Sequence, residues 1–270
     1  MPHRPQKKWG QNFLRNRGAV EKIVAALEPA PGELVLEIGP GEGVLTEDLV
    51  RLGNPVEAWE IDPGLVRRLR ERFEGITVVE TDATKTPLPD QPFRAVGNLP
   101  YNVATAIVRR VVSSAWWRRG VFMFQKEVAE KLTASPGDGE YGFLSVAVQV
   151  RATARSLMKL SPGSFHPRPK VHSAVVVLDP IQRDLRSSVD EVERLASSAF
   201  RMRRKTLLNN LTGYAELDRG GASEAIVEAG LDPGMRAEEV GLDAFDRLAA
   251  IIAARAASAP ANPPPRGERP

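Results

Sequence analysis

The chain has no cysteine among its 270 residues, which excludes disulfides, thiolate zinc sites and cysteine nucleophiles. It has only three histidines. His166 and His172 have no carboxylate close by in sequence, so neither reads as a catalytic base or a metal ligand. No apolar run approaches the ~20 residues that cross a bilayer. The first residues, Met1 to Gln11, are polar and lack the apolar centre of a signal peptide. These absences lead us to expect a cytoplasmic protein with no membrane partner and no metal. An excess of either charge is also slight. The net charge is +3, with a pI near 9.3, which permits a nucleic-acid partner without requiring one.

What is present is ordinary in bulk, with 42% hydrophobic and 26% charged residues, enough for one large core or one core with a small appendage. The basic residues are gathered rather than spread: Lys7-Lys8, Arg67-Arg68, Arg109-Arg110, Arg118-Arg119 and Arg201 to Lys205. There is no internal repeat. From Gly32 to about Pro180, apolar runs alternate with amphipathic segments, the pattern of a parallel sheet with helices on both faces. Strands are expected at 34–38, 56–60, 77–79, 93–97, 121–124, 151–158 and 174–178. Helices are expected at 44–52, 63–73 and 104–113. Beyond Pro180, Val189, Val192, Leu195, Ala196 and Ala199 recur at helical spacing, as do Leu242, Phe245, Leu248 and Ile252. The expected organisation is an α/β domain over 1–180 with an N-terminal arm, a small all-helical domain over 181–258, and a disordered proline-rich tail over 259–270.

A glycine loop, Gly39-Pro40-Gly41-Glu42-Gly43, follows the first expected strand. A dinucleotide fold would show G-x-G-x-x-G, because a pyrophosphate must rest on the helix N-terminus. Here the spacing is G-x-G-x-G and an acid sits in the loop. Glu42 would repel a pyrophosphate but tolerates the sulfonium of S-adenosylmethionine (SAM), which carries no phosphate. Glu60 ends the next strand, where a carboxylate can accept from both ribose hydroxyls, with Ile61 beside it. Asp82, followed by Ala83, can accept from the adenine amine or simply cap a turn. Glu37 lies beneath the loop and can orient either its amides or the cofactor. Loop and strand ends converge on one crevice at the point where strand order reverses.

Past the strand at 93–97 comes Asn98-Leu99-Pro100-Tyr101. The exocyclic nitrogen of a base is a poor nucleophile because its lone pair is delocalised into the ring. The Asn98 side-chain oxygen and the Leu99 carbonyl could hold both of its N–H groups, and Tyr101 could stack on the ring. Such a pocket gains rate through positioning and through acceptors that match the charge of the transition state. A paired or looped base must be turned out to enter it. Phe165 could close the other face of the base, with Arg168 and Lys170 meeting phosphates.

Together these segments resemble the KsgA-type small-subunit rRNA adenine dimethyltransferases over nearly the whole chain. The resemblance starts at Gly10-Gln11-Asn12-Phe13-Leu14 and continues through Glu37-Ile38-Gly39-Pro40-Gly41, Glu60-Ile61-Asp62, Asp82-Ala83 and Asn98 to Asn102. Further on it covers 125–130, 141–146, 165–171 and 199–211. It implies a Rossmann-like SAM-dependent methyltransferase sheet and N6,N6-dimethylation of two adjacent adenosines in the 3′-terminal hairpin loop of 16S rRNA. It also implies action on a late 30S assembly intermediate. By motif position, Asn12 and Leu14 would join Gly39, Glu60, Asp82 and Asn98 around SAM, and Tyr101 and Phe165 would sandwich the base. Arg201, Arg203, Arg204 and Lys205 would meet rRNA.

Three other functions compete. An Erm-type enzyme would methylate 23S rRNA, but the 200–211 segment is more like the KsgA type. A non-catalytic RNA-binding assembly factor on the same scaffold is disfavoured by the intact Asn98 to Tyr101 motif. An NAD oxidoreductase is disfavoured by the glycine spacing. No heptad or apolar stripe stands out, so a monomer is expected.

Overall fold

The computed structural model describes residues 11–258, which form two compact units. Lys7, Lys8, Gly10 and the tail expected to be disordered at 259–270 lie outside the described residues. The first unit comprises residues 11–134 and 151–182. Its elements up to the end of the parallel strands are β1 (Phe13–Leu14), α1 (Arg17–Leu27), β2 (Leu34–Ile38), α2 (Thr46–Arg51), β3 (Val56–Glu60), α3 (Pro63–Arg72), β4 (Thr77–Glu80), β5 (Phe93–Asn98), α4 (Ala104–Ser113) and β6 (Trp117–Gln125). Then follow α5 (Lys126–Thr133), β7 (Ala152–Leu160), β8 (Phe165–His166) and β9 (Ser173–Pro180).

Seven strands make one mixed sheet in the order β4-β3-β2-β5-β6-β9-β7. The first five run parallel, β9 runs antiparallel to β6, and β7 runs antiparallel to β9. All five residues of β2 are buried, as in a strand covered on both faces. On one face Val35, Val56, Val96, Val121 and Val177 meet Val20, Ile23 and Leu27 of α1. Chain direction across the sheet reverses beside β2, with β3 on one side and β5 on the other. This opens a crevice at the carboxyl ends of those strands. β5 presses close on β2 there, and a Cβ at Gly97 would run into the Ile38 carbonyl oxygen. β1 and β8 form a separate antiparallel pair, with Leu14 opposite Phe165.

The strands expected at 34–38 and 56–60 and the helix at 104–113 have those bounds. The strand expected at 121–124 starts earlier, because Trp117 already pairs with Phe93. Helix α1 was not anticipated. It begins where the Asn16 side chain accepts from the Ala19 N–H at 3.0 Å, a sequence-local N-cap. Helix α3 starts in the same way: Asp62 accepts from the Gly64 N–H at 2.8 Å and Pro63 takes the first turn.

The second unit comprises residues 135–150 and 183–258. It contains α6 (Phe143–Gln149), α7 (Val189–Ala199), α8 (Leu207–Leu211), α9 (Arg219–Glu228) and α10 (Leu242–Ser258). This differs from the expected continuous 1–180 domain, because the chain leaves the sheet unit at 135 and returns at 151. The reason is aromatic packing. The buried Tyr141 ring stands edge-on to Phe200 at 6.0 Å, Phe200 lies against Phe245 at 5.9 Å, and the Tyr141 hydroxyl donates to the Val240 carbonyl. The buried Asp246 carboxylate of α10 accepts from the N–H groups of Arg186 and Ser187 at 3.0 and 2.9 Å, fixing the segment that leads into α7.

Candidate active site

A cavity of about 490 Å³ opens at the carboxyl ends of β2, β3 and β5. Among the predicted site residues it is lined by Asn12, Leu14, Gly39, Gly41, Glu60, Asn98, Leu99, Pro100 and Tyr101. Its size suits a nucleoside-sized ligand.

The glycine loop shows which nucleoside chemistry fits. Gly39, Gly41 and Gly43 all have positive φ. Their N–H groups are consumed internally: Gly39 donates to the Trp59 carbonyl at 2.9 Å, Gly43 to the Pro40 carbonyl at 2.9 Å, and Gly41 to Glu60 Oε2 at 3.0 Å. No fan of loop amides remains for a pyrophosphate, so the dinucleotide reading fails on geometry as well as on spacing. Glu60 also accepts from the N–H groups of Ile61 and Asp62 on Oε1, at 2.9 and 3.0 Å. Among the described residues no cationic side chain pairs with it. A carboxylate so held is fixed in direction, and with about four lone-pair sites it keeps capacity for a ligand hydroxyl. Burial pushes the Glu60 carboxyl upward, and the three N–H bonds oppose that shift.

Glu37 does not line the cavity. It is fully buried below the loop, where Thr46 Oγ1 donates to its Oε2 at 2.6 Å and its Oε1 has no partner. Burial, reinforced by the nearby Glu60, pushes its pKa up to about 8. Asp82, Ala83 and Ile61 are also absent from the lining. Asp82 Oδ1 instead accepts from the N–H and hydroxyl of Thr84 at 2.9 and 2.7 Å, and these bonds hold its pKa below the usual carboxylate range. That is the turn-capping role weighed against the adenine contact. Ile61 contributes its N–H to Glu60 rather than its side chain to the cavity.

Asn98, Leu99, Pro100 and Tyr101 all line the cavity, and Asn98 has a partner that the sequence could not show. Asn98 Nδ2 donates to the Asn12 carbonyl at 2.7 Å. The amide is thereby oriented, leaving Oδ1 as the acceptor. Leu99 is buried, and Tyr101 is anchored by a 2.9 Å bond between its hydroxyl and Ser173 Oγ. Burial raises the Tyr101 pKa, so the phenol stays neutral.

Phe165 is a correction. Paired through β1–β8, it is buried with Leu14 in the core cluster under α1 and does not face the cavity. Its apolar ring gains more from that core than from an open crevice. Arg168 and Lys170 are exposed in the loop that follows. In the second unit, Arg201, Arg203, Arg204 and Lys205 are exposed on a turn, not a helix face. Buried Asn210 shapes that turn by bonding the Met202 N–H and carbonyl, at 3.1 and 3.2 Å.

Residues 11–15 lie as a strap across the cavity mouth, and sequence reasoning credited only Asn12 and Leu14. Gln11 donates to Asp62 at 3.2 Å, and Arg15 pairs with Glu42 at 2.6 Å. The Phe13 ring packs so close to Gly41 that a Cβ there would sit 2.9 Å from it. The α3 residues Arg68 and Arg72 line the outer wall, with Arg72 paired to Glu47 at 2.7 Å. The helix at 63–73 was expected from its opening proline, Pro63, but nothing in its sequence pointed to the wall.

A mixed seven-stranded sheet with a nucleoside-sized cavity at its carboxyl ends, glycine-loop amides already bonded within the loop and to Glu60, and an Asn-Leu-Pro-Tyr motif on its wall belong to the SAM-dependent methyltransferase class. A family model described as Ribosomal RNA adenine dimethylase matches residues 3–254, and the chain belongs to that family, whose members use SAM as methyl donor. The chain is 42% identical over 261 residues to the Ribosomal RNA small subunit methyltransferase A of Syntrophotalea carbinolica, covering 93% of this chain and 98% of that protein. It is 43% identical over 252 residues to the protein of the same name from Methylococcus capsulatus, covering 90% and 95%. Among solved structures it is similar to a dimethyladenosine transferase from Plasmodium falciparum, with TM-score 0.77 and 26% identity over 87% of this chain and 95% of that one. It is also similar to the 23S rRNA methyltransferase ErmE, with TM-score 0.70 and 29% identity over 90% and 100%.

Proposed function

We propose that this enzyme dimethylates N6 of two adjacent adenosines in the 3′-terminal hairpin of 16S rRNA. In this reading it acts as a monomer in the cytoplasm, on a late small-subunit assembly intermediate. The observation that carries the chemistry is the Asn98 amide, which lines the cavity and is held through its Nδ2 by the Asn12 carbonyl at 2.7 Å. SAM, when bound, supplies an electrophilic methyl group on a sulfonium.

The residues that fit this donor are the Gly39–Gly41 loop, Glu60 as a fixed acceptor, and the strap residues Asn12 and Leu14. Asn98 Oδ1 and the Leu99 carbonyl accept the two N–H groups of the target amine, which localises its lone pair toward the methyl. Tyr101 stacks on the base. Both acceptors would stabilise the positive charge that grows on that nitrogen when it takes the methyl group. The extra proton leaves after transfer, so no tuned base is needed beforehand. The small-subunit relatives support 16S rRNA as the substrate. The similarity to ErmE makes 23S rRNA the alternative.

Labelled SAM offered to undermethylated 30S and 50S particles, with mass-spectrometric mapping of the product, tests the proposal. Dimethyladenosine in the 16S 3′ hairpin is expected. Label in 23S rRNA would transfer the protein to the Erm type, and no label in either would leave a binding factor.

A further inference from the structure

The described tryptophans differ sharply in setting. Trp59 and Trp117 are buried, 3% and 4% exposed, whereas Trp116 is 43% exposed. Among the described residues the Trp116 indole has no hydrogen-bond or ring partner. Its backbone, by contrast, is fixed. The Trp116 N–H donates to Ser114 Oγ at 3.1 Å and its carbonyl accepts from the Phe93 N–H at 3.1 Å. Trp116 sits in the bend just before β6, next to buried Trp117, and Arg118 falls where the register between β5 and β6 shifts. Arg118 is exposed and donates to the Ala115 and Trp117 carbonyls, each at 3.1 Å, which holds the guanidinium beside the same turn.

The stretch of chain around this turn carries cations and no acids of its own. No Asp or Glu occurs between Asp90 and Glu127. Of the cations in that stretch, Arg94 pairs with Glu33, Arg119 pairs with Glu28 and Asp179, and Arg110 is held by the carbonyls of Ala83 and Thr86. Arg118 has no carboxylate partner among the described residues.

We propose that Trp116 and Arg118 form a second RNA contact, with the indole stacking on an unpaired base and the guanidinium meeting its phosphate. The inference rests on the rRNA reading above. Every base has a π-face, so such a platform holds a single strand without reading its sequence. A protein partner could also cover an exposed indole, but an adjacent cation with no carboxylate partner among the described residues suits a nucleotide. The platform is remote from the chemistry. Trp117 pairs with Phe93 at one end of β6 and Met123 with Asn98 at the other, six residues or about 20 Å along the strand. It therefore grips RNA outside the target nucleotide and contributes to substrate affinity rather than to transfer.

The test uses the full chain with undermethylated small-subunit particles. Trp116→Ala should raise KM for the particle roughly tenfold, with Trp116→Phe recovering most of the loss. Arg118→Ala should lower the salt slope of particle binding by about one. In all three variants kcat at saturating particles, SAM affinity by calorimetry and melting temperature should match the parent. A parent that binds particles and a Trp116→Ala variant that binds them equally well, with an unchanged slope for Arg118→Ala, would overturn the platform alone. A Trp116→Ala variant that loses kcat with KM intact would also overturn it. A parent that neither binds nor methylates the particles would overturn this inference together with the proposed function.

Discussion

At Glu37 a carboxyl is sealed beneath the glycine loop with one oxygen unpartnered, and burial sets its pKa near 8. In the unfolded chain the same group titrates near ~4.3. The folded state therefore keeps a proton that the unfolded state has released across that interval. The stability due to neutral Glu37 is complete below about pH 4.3 and is lost as pH rises through about 8. Glu37→Gln, which cannot ionise, should come nearest the parent at about pH 4 and become progressively more stable than it toward pH 8. Melting temperatures across that range would show it, and a constant offset would mean that Glu37 is ionised when folded. Gly97 supplies a second prediction at this scale. Gly97→Ala forces a methyl against the Ile38 carbonyl and should cost roughly 3 kcal/mol in chemical denaturation. A change under about 1 kcal/mol would mean that β5 can shift away from β2.

The informative element is the strap. Its residues reach the ends of three strands: Gln11 to Asp62 after β3, Asn12 to Asn98 ending β5, and Phe13 over Gly41 after β2. In the proposed mechanism the donor and acceptor sites are thus joined by five residues, and the Asn98 amide serves as both acceptor and strap anchor. Asn98→Ala should lower kcat by at least two orders of magnitude, the scale of losing one aligned transition-state contact. It should also speed hydrogen exchange of the 11–15 amides, because one of the strap's anchors is gone. Parental kcat would remove Asn98 from the chemistry. Unchanged exchange would mean that the strap's other contacts hold it without Asn98.

For the molecule as a whole, RNA affinity depends on where cations are free to meet phosphate. The basic turn is not uniform. Arg203 donates to the Gly139 carbonyl at 2.7 Å and lies 3.7 Å from Glu238, so part of its work is internal to the helical unit. Arg204→Gln with Lys205→Gln should weaken particle binding and lower the salt slope by about two without changing the melting temperature. Arg203→Gln should lower the melting temperature of the chain as well. An unchanged slope in the double variant would place this turn away from RNA.

Much of this protein is written locally. Alternating apolar runs set the strands, Asn16 and Asp62 start two helices, and the G-x-G-x-G loop and Asn-Leu-Pro-Tyr motif announce the chemistry. These are determined by neighbours within a few residues, so the sequence alone carries them. Tertiary structure decided the rest, because the partners come from far along the chain. The Gly41 N–H is spent on Glu60, and the Asn98 amide is turned by Asn12, 86 residues earlier. Phe165 found a drier place in the core than in the pocket, Asp82 satisfied itself on Thr84, and Tyr141 drew residues 135–150 into the helical unit through Phe200. A residue type shows what a side chain can bond; which of several available bonds it makes depends on burial and distance, and only the fold sets those.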